Sequence, residues 1–128
     1  MSLLPLFLDL RGKRVLVVGG GSVARAKLLA LQPTGCSVRV VSLAFTPEVL
    51  ETLAGFESER HTRGFRPEDF DGVHLVISAT NDPAANAFIA AQARARGLWV
   101  NAVDDAASCD ALFPSILRRG PFVAALST

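Results

Sequence analysis

Apolar residues along the chain fall in short dense runs separated by glycine, proline and polar turns, and each run predicts one element. Arg14-Val15-Leu16-Val17-Val18 is a β-branched run that stops at three glycines, the pattern of a strand buried on both faces. Residues 22 to 32 predict a helix, with Ser22 as N-cap, Ala24, Leu28 and Leu31 on one face, and Pro33 as its stop. Ser37 to Ser42 predicts a second strand. Thr46-Pro47-Glu48 puts a cap residue before a first-turn proline, so a helix through about Leu53 follows. Phe56 to Thr62 alternates imperfectly and fits an edge strand, while Gly64 to Asp71 reads as loop. Val73 to Ala79 is a further strand. Asp82-Pro83 then caps an alanine-rich helix carrying Phe88 and Ile89, which Gly97 closes, and Leu98 to Val103 is another strand. Pro114 to Arg119 and a last apolar run, Phe122 to Leu126, lie outside the alternation.

Strands alternating with helices call for an α/β fold, a Rossmann-like doubly wound parallel sheet with helices on both faces. At 128 residues, half of them hydrophobic, the chain has material for one packed core. A net charge of +1 without a basic stripe argues against nucleic acid as a partner. The greasy start Leu3 to Leu8 is broken by Pro5, lacks a basic residue before it and runs into Asp9. It is too short to span a membrane and lacks the plan of a signal peptide, so a cytoplasmic protein away from membranes is expected. Cys36 and Cys109 are too few for a disulfide framework or a metal site of their own.

The chemistry begins at Gly19-Gly20-Gly21-Ser22-Val23-Ala24, which fits the dinucleotide pattern with Gly19, Gly21 and Ala24 in its three small positions. The first permits a tight turn, the second lets backbone approach a pyrophosphate, and the third lets the helix pack on the strand. Amides at the helix start then face the phosphates, where the helix dipole also favours negative charge. Three glycines can also be a plain turn; here they follow a strong strand and open a helix at the first crossover, which favours the nucleotide. An acidic residue to hold the adenine ribose is missing, because the second strand ends Ser42-Leu43-Ala44-Phe45. NAD is favoured over NADP only as a lean.

Asn101-Ala102-Val103-Asp104-Asp105 sets carboxylates beyond the carboxyl end of a strand, the rim where open α/β sheets bind ligands. A carboxylate there can accept a proton while hydride leaves to a nicotinamide. Taken from the residues alone, a turn or cap aspartate is the commoner case. His61 and His74 read as structural, Arg118-Arg119 as a solvated pair, and Thr80-Asn81-Asp82 as a helix cap on the cofactor rim.

Four stretches together resemble the N-terminal part of siroheme synthase, the precorrin-2 dehydrogenase (sirohydrochlorin ferrochelatase) family. They are Leu4 to Phe7 with Arg11-Gly12-Lys13, Val17 to Ala24 with Lys27, Ala79 to Asp82, and Val100 to Asp104 with Cys109 and Phe113-Pro114-Ser115. The resemblance implies NAD-dependent oxidation of precorrin-2 to sirohydrochlorin, and in some members insertion of ferrous iron into the product. It makes Asp104 the general base and brings Ser22, Val23, Leu43 and Ala44 to the cofactor, beside Gly19, Gly21, Ala24, Ser42 and Thr80. The substrate is a macrocycle with eight carboxylates, for which Asn101, Ser115, Arg118 and Arg119 are the candidate contacts. It departs from the family at Ala26, where arginine is usual, at Pro33 to Cys36, at Ala102, and at Asp105, a second charge beside the base.

Family members continue past the position of Thr128 into a dimerisation region and a small helical domain. The resemblance therefore implies a cofactor domain over residues 1–113 and the beginning of a dimerisation region over 114–128. Phe122 to Leu126 would be a strand without its partners, and residues 1–128 alone would bind NAD and catalyse poorly. Two other classes stay open: a non-catalytic dinucleotide sensor, which has no need of the Asn101 to Asp104 stretch, and a dehydrogenase for another small substrate, which lacks a substrate domain in this length.

Overall fold

The computed structural model describes residues 2–127; Met1 and Thr128, the outer ends of the two expected units, lie outside the described residues. Five parallel strands form one sheet: β1 (Arg14–Val18), β2 (Ser37–Ser42), β3 (Ser58–Thr62), β4 (Leu75–Ser78) and β5 (Trp99–Ala102). Their order is β3-β2-β1-β4-β5. The crossovers carry α1 (Ser22–Leu31), α2 (Pro47–Leu53) and α3 (Pro83–Ala95). This is the Rossmann-like architecture expected from the alternation, with the edge strand β3 in place.

Alternation within the strands divides the core into two layers. Val15, Val17, Val38, Val40, Leu75 and Ile77 face α1 and α2, and meet Ala24, Leu28, Leu31, Val49 and Leu53. Leu16, Val18, Val41, Val76, Val100 and Ala102 face α3, and meet Ile89, Ala90 and Ala93. A strand apolar on both faces is legible as a run because both faces are covered. The direction in which strands are added reverses between the parallel neighbours β1 and β4, so the crevice beyond their carboxyl ends is the switch point where such sheets bind ligands.

Several expectations need correction. The N-cap of α1 is Gly21, in extended backbone; Ser22 is the first helical residue and no side chain caps the helix. That helix ends at Leu31 and continues as a 3-10 turn, Gln32–Thr34, because Pro33 has no amide to extend the α ladder. The segment from Gly64 to Asp71 holds a 3-10 turn, Pro67–Phe70, whose Phe70 enters the second core layer. Asp69 in that turn is 2% exposed and bonded twice to the Arg63 guanidinium, at 2.7 and 2.9 Å, and to the Arg66 amide at 2.7 Å. Burial works against its charge, but those donors outweigh it and hold its carboxyl below the ordinary value. Arg39 donates to the Asp69 and Asp71 carbonyls and to Glu59, closing the same side of the sheet.

Phe122–Leu126 (β7) is not unpaired. It forms an antiparallel hairpin with Ser115–Arg119 (β6), from Ser115↔Leu126 to Arg119↔Phe122, as a sheet of its own. All of β6 is exposed, and Leu117, Phe122 and Leu126 are 50%, 58% and 77% exposed.

Candidate functional site

The glycine corner follows β1 at the switch point. Gly19 has φ +136°, and a Cβ there would stand 2.3 Å from the Ala79 carbonyl oxygen of the loop after β4. At Gly20 a Cβ would meet the Ala44 carbonyl oxygen at 2.1 Å, and the Gly20 carbonyl accepts from the Thr46 amide at 2.9 Å. Both glycines therefore answer to protein neighbours. Gly21 does not: a Cβ there would meet nothing within 4 Å. The missing side chain at Gly21 leaves open space in front of amides that no side chain caps. That is the shape and polarity a pyrophosphate requires. Ala24, in the third small position, is fully buried against the sheet.

A cleft of about 660 Å³ opens over this corner. Ser42, Leu43 and Ala44 form one side, Thr80 to Asp82 another, and Arg63 to Phe65 a third. Thr80 is fixed by Asn86, whose buried Oδ1 accepts from the Ser78 hydroxyl at 2.9 Å and from the Thr80 amide at 3.1 Å. Asn86 Nδ2 returns a bond to the Thr80 carbonyl at 3.0 Å. Asp82 caps α3 by accepting from the Ala84 and Ala85 amides. Asn86 thus locks the β4 loop beside Gly19, a role that its place in an alanine-rich helix did not announce; a lone asparagine one turn past the Asp82 cap was the available signal.

A second cleft, of about 1050 Å³, lies on the other side of the α1 N-terminus. Ser22 and Val23 line both, so the two spaces share a wall. The second is bordered by Asn101 to Ala106, Phe113 to Ser115, and the end of β7. Asp104 sits in the turn after β5 with φ +58°, the only described non-glycine residue in the left-handed region. The turn is closed by the Asp105 amide on the Ala102 carbonyl at 3.3 Å. Glycine suits such a position best, and aspartate is among the few side chains that tolerate it. Cys109 steadies the loop: its Sγ accepts from the Ala102 amide at 3.1 Å, and the thiol lies 3.1 Å from the Ala102 carbonyl. The Asp105 carboxylate accepts from the Ser108 hydroxyl at 2.6 Å, whereas the Asp104 carboxylate has no hydrogen-bond partner among the described residues.

Asn101 is 4% exposed beneath this cleft. Its Nδ2 donates to the Ala111 carbonyl at 2.9 Å, and its Oδ1 has no partner among the described residues. Lys27 reaches the same space from α1, one turn beyond Val23, with Nζ 4.2 Å from the centroid of the Phe113 ring. Burial lowers its ammonium from the ordinary value, while the Cys109 thiol and the Asp104 carboxylate act the other way.

A model of the putative NAD(P)-binding family matches residues 6–115, most of the chain. The chain belongs to that family. Its resemblance to siroheme synthases extends along the full length. The siroheme synthase of Pseudomonas entomophila is 46% identical over 100% of this chain and 28% of its own length. Siroheme synthase 1 of Pectobacterium atrosepticum is 44% identical over 100% of this chain and 27% of its own. The chain thus spans little more than a quarter of these relatives. Among solved structures, SirC, precorrin-2 dehydrogenase, superposes with a TM-score of 0.84 at 29% identity, covering 98% of this chain and 62% of that one.

Within this NAD(P)-binding domain the structure brings the expected cofactor residues together: Gly19, Gly21, Ser22, Val23, Ser42, Leu43, Ala44 and Thr80 all line the first cleft, with Ala24 behind them. Asp104, Asn101 and Ser115 line the second. Arg118 and Arg119 do not; they lie at the turn end of the hairpin, outside both linings. His61 pairs with Glu59 at 3.0 Å, and His74 Nδ1 accepts from the Arg14 amide at 3.4 Å, so both are structural. No group of three His, Cys, Asp or Glu side chains that could hold a metal ion occurs among the described residues. No described helix is long and apolar enough to cross a membrane. Sequence reasoning missed Gly20, Asn86, Phe113 as a ring under a cation, and Lys27 as a cleft residue.

Proposed function

We propose that this domain performs the NAD-dependent dehydrogenation of precorrin-2 to sirohydrochlorin. One observation carries the reading: Asp104, without a hydrogen-bond partner among the described residues, stands in a cleft that shares Ser22 and Val23 with the dinucleotide corner. Bound NAD supplies the hydride acceptor. The chain's own residues do the rest. The uncapped amides from Gly20 to Val23 hold the diphosphate. The exposed Leu43 side chain and Ala44 offer an apolar shelf at the adenosine end, and Ser42 is within the same lining. Asp104 takes the proton that the macrocycle gives up as hydride leaves, so that two hydrogens are lost with charge balanced. Asn101 Oδ1 offers an acceptor to a pyrrole N–H.

Iron insertion into the product would ask a related task of the same carboxylate. The macrocycle brings its own four nitrogen ligands for ferrous iron, and Asp104 receives a displaced pyrrole proton. The hairpin over residues 114–127 supplies the dimer contact: it is small for independent stability and presents Ile116, Leu117, Phe122 and Leu126 to solvent. This assigns 1–113 to the cofactor domain, 114–128 to the dimerisation region, and the activity to the cytoplasm, where pyridine nucleotide is abundant.

Asp104→Asn tests the reading. In the longer protein that contains this domain, NAD-dependent change of precorrin-2 absorbance should fall by about 100-fold or more, with NADH binding intact. Normal turnover would remove Asp104 from the chemistry. Dinucleotide binding with no turnover in the unsubstituted longer protein would favour the non-catalytic sensor.

A further inference from the structure

The second cleft is poor in positive charge for a ligand bearing many carboxylates. Lys27 is the one basic residue in its lining, against two acids, Asp104 and Asp105. Arginines elsewhere are committed or remote: Arg63 is clamped by Asp69, Arg94 pairs with Asp110, and Arg118 and Arg119 stand outside the lining. Lys27 has no carboxylate within 4.0 Å among the described residues. Its ammonium instead rests 4.2 Å from the Phe113 ring centroid. A ring face satisfies a cation in one direction only, and an ammonium has three N–H donors. The others remain for something in the cleft.

We infer that Lys27, held against Phe113, is the carboxylate anchor of this cleft and fixes one acid side chain of a polycarboxylate macrocycle while Asp104 works on the ring. The inference rests on the reading under Proposed function and deepens it by naming the cation that recognises the ligand. A second pointer is independent of charge: Asn101 borders the same cleft, and its buried Oδ1 has no partner among the described residues, an acceptor left for an N–H. Together they describe a ligand with acidic periphery and N–H groups inside it. Geometry explains why Lys27 serves here. The stripe Ala24, Leu28 and Leu31 turns α1 toward the sheet, and Val23, Ala26 and Lys27 fall on the flank that faces the cleft. Without Lys27 the charged groups left in the lining would be Asp104 and Asp105, which oppose a polycarboxylate.

The test uses uroporphyrin III, an octacarboxylate porphyrin, titrated into the chain and followed by its Soret band, with NADH fluorescence as the check on the first cleft. Lys27→Gln and Lys27→Met should each weaken uroporphyrin binding by about tenfold and flatten its dependence on ionic strength. Lys27→Arg should stay within about threefold of the unsubstituted protein, because charge and ring contact both survive. NADH binding should be the same in all four proteins. Lys27→Met keeps the apolar stem on Phe113, so loss of affinity there reports the charge. Equal affinity and equal salt dependence in Lys27→Gln would overturn the anchor and leave the precorrin-2 reading standing. An unsubstituted protein that binds NADH but takes no uroporphyrin would overturn the anchor, whereas the precorrin-2 reading stands or falls on turnover by the longer protein.

Discussion

The two clefts share a wall and are built on opposite plans. The cofactor cleft is made of backbone: Gly19 and Gly20 let loops close to within contact, and Gly21 leaves amides facing open space. Its glycine corner is contiguous in sequence, because one strand–turn–helix supplies it, and the loops after β2, β3 and β4 close around that corner. The second cleft is made of side chains drawn from α1, the turn after β5, Phe113 and the hairpin. A generic pyridine-nucleotide domain needs only the first. The second brings together side chains separated by tens of residues, and it is the space the proposed reading assigns to the macrocycle.

The largest expected effect breaks the backbone plan. Gly19→Val would force a Cβ against the Ala79 carbonyl at a φ that valine rarely adopts, and should cost about 3 kcal/mol of stability or more. Gly21→Ala should cost about 1 kcal/mol or less and still weaken NADH binding by about tenfold, since the added methyl enters the space assigned to phosphate. Urea unfolding and NADH fluorescence on both variants separate the roles. If Gly21→Ala bound NADH as tightly as the unsubstituted protein, the open space at Gly21 would not be the diphosphate seat.

This contrast also explains what was legible in the sequence. Runs such as Val15 to Val18 announce strands because both sheet faces are covered, and Thr46-Pro47 and Asp82-Pro83 announce helix starts because capping is local. The glycine corner was readable for the same reason. Ser22 was misplaced by one residue, since glycine can cap without a side-chain bond. The hairpin was half missed: Ser115 to Arg119 has no alternation, so its pairing with Phe122–Leu126 is not written in either strand alone. Arg118 and Arg119 drew attention as adjacent charges, yet strand pairing carries them to the far turn. Lys27 was quoted only as a family residue, because the ring it meets, Phe113, lies far along the chain beyond the last strand of the parallel sheet.

A smaller effect comes from the place where side chains hold up the backbone site. The Arg63–Asp69 pair fixes the segment that forms the third side of the cofactor cleft. Asp69→Asn should cost about 2 kcal/mol, because one charged partner of a mostly buried pair is lost. The folded-state carboxyl lies below the ordinary aspartate value, so its contribution is complete above about pH 4 to 5 and is lost as pH falls through the lowered value. The unsubstituted protein should therefore lose urea resistance between about pH 5 and 3 more steeply than Asp69→Asn. Parallel curves would mean that folding does not lower the Asp69 carboxyl below its unfolded value.

The smallest effect is the sharpest for the second cleft. Asp104 occupies a left-handed backbone position that costs a side-chain-bearing residue about 1 kcal/mol, less for aspartate than for most. Glycine removes that strain and adds chain entropy to the unfolded state, so the two terms oppose one another. Asp104→Gly should leave thermal stability unchanged or raise it by up to about 1 kcal/mol, while Asp104→Val lowers it by about 1 to 2 kcal/mol. Both should abolish turnover in the longer protein. A residue kept for the fold would show the reverse ordering, with glycine the damaging change. A carboxylate that the backbone would exchange for glycine without loss is there for what it does in the cleft. A clear drop in stability for Asp104→Gly would instead make Asp104 a structural turn residue and return the second cleft to its other groups, Lys27 first among them.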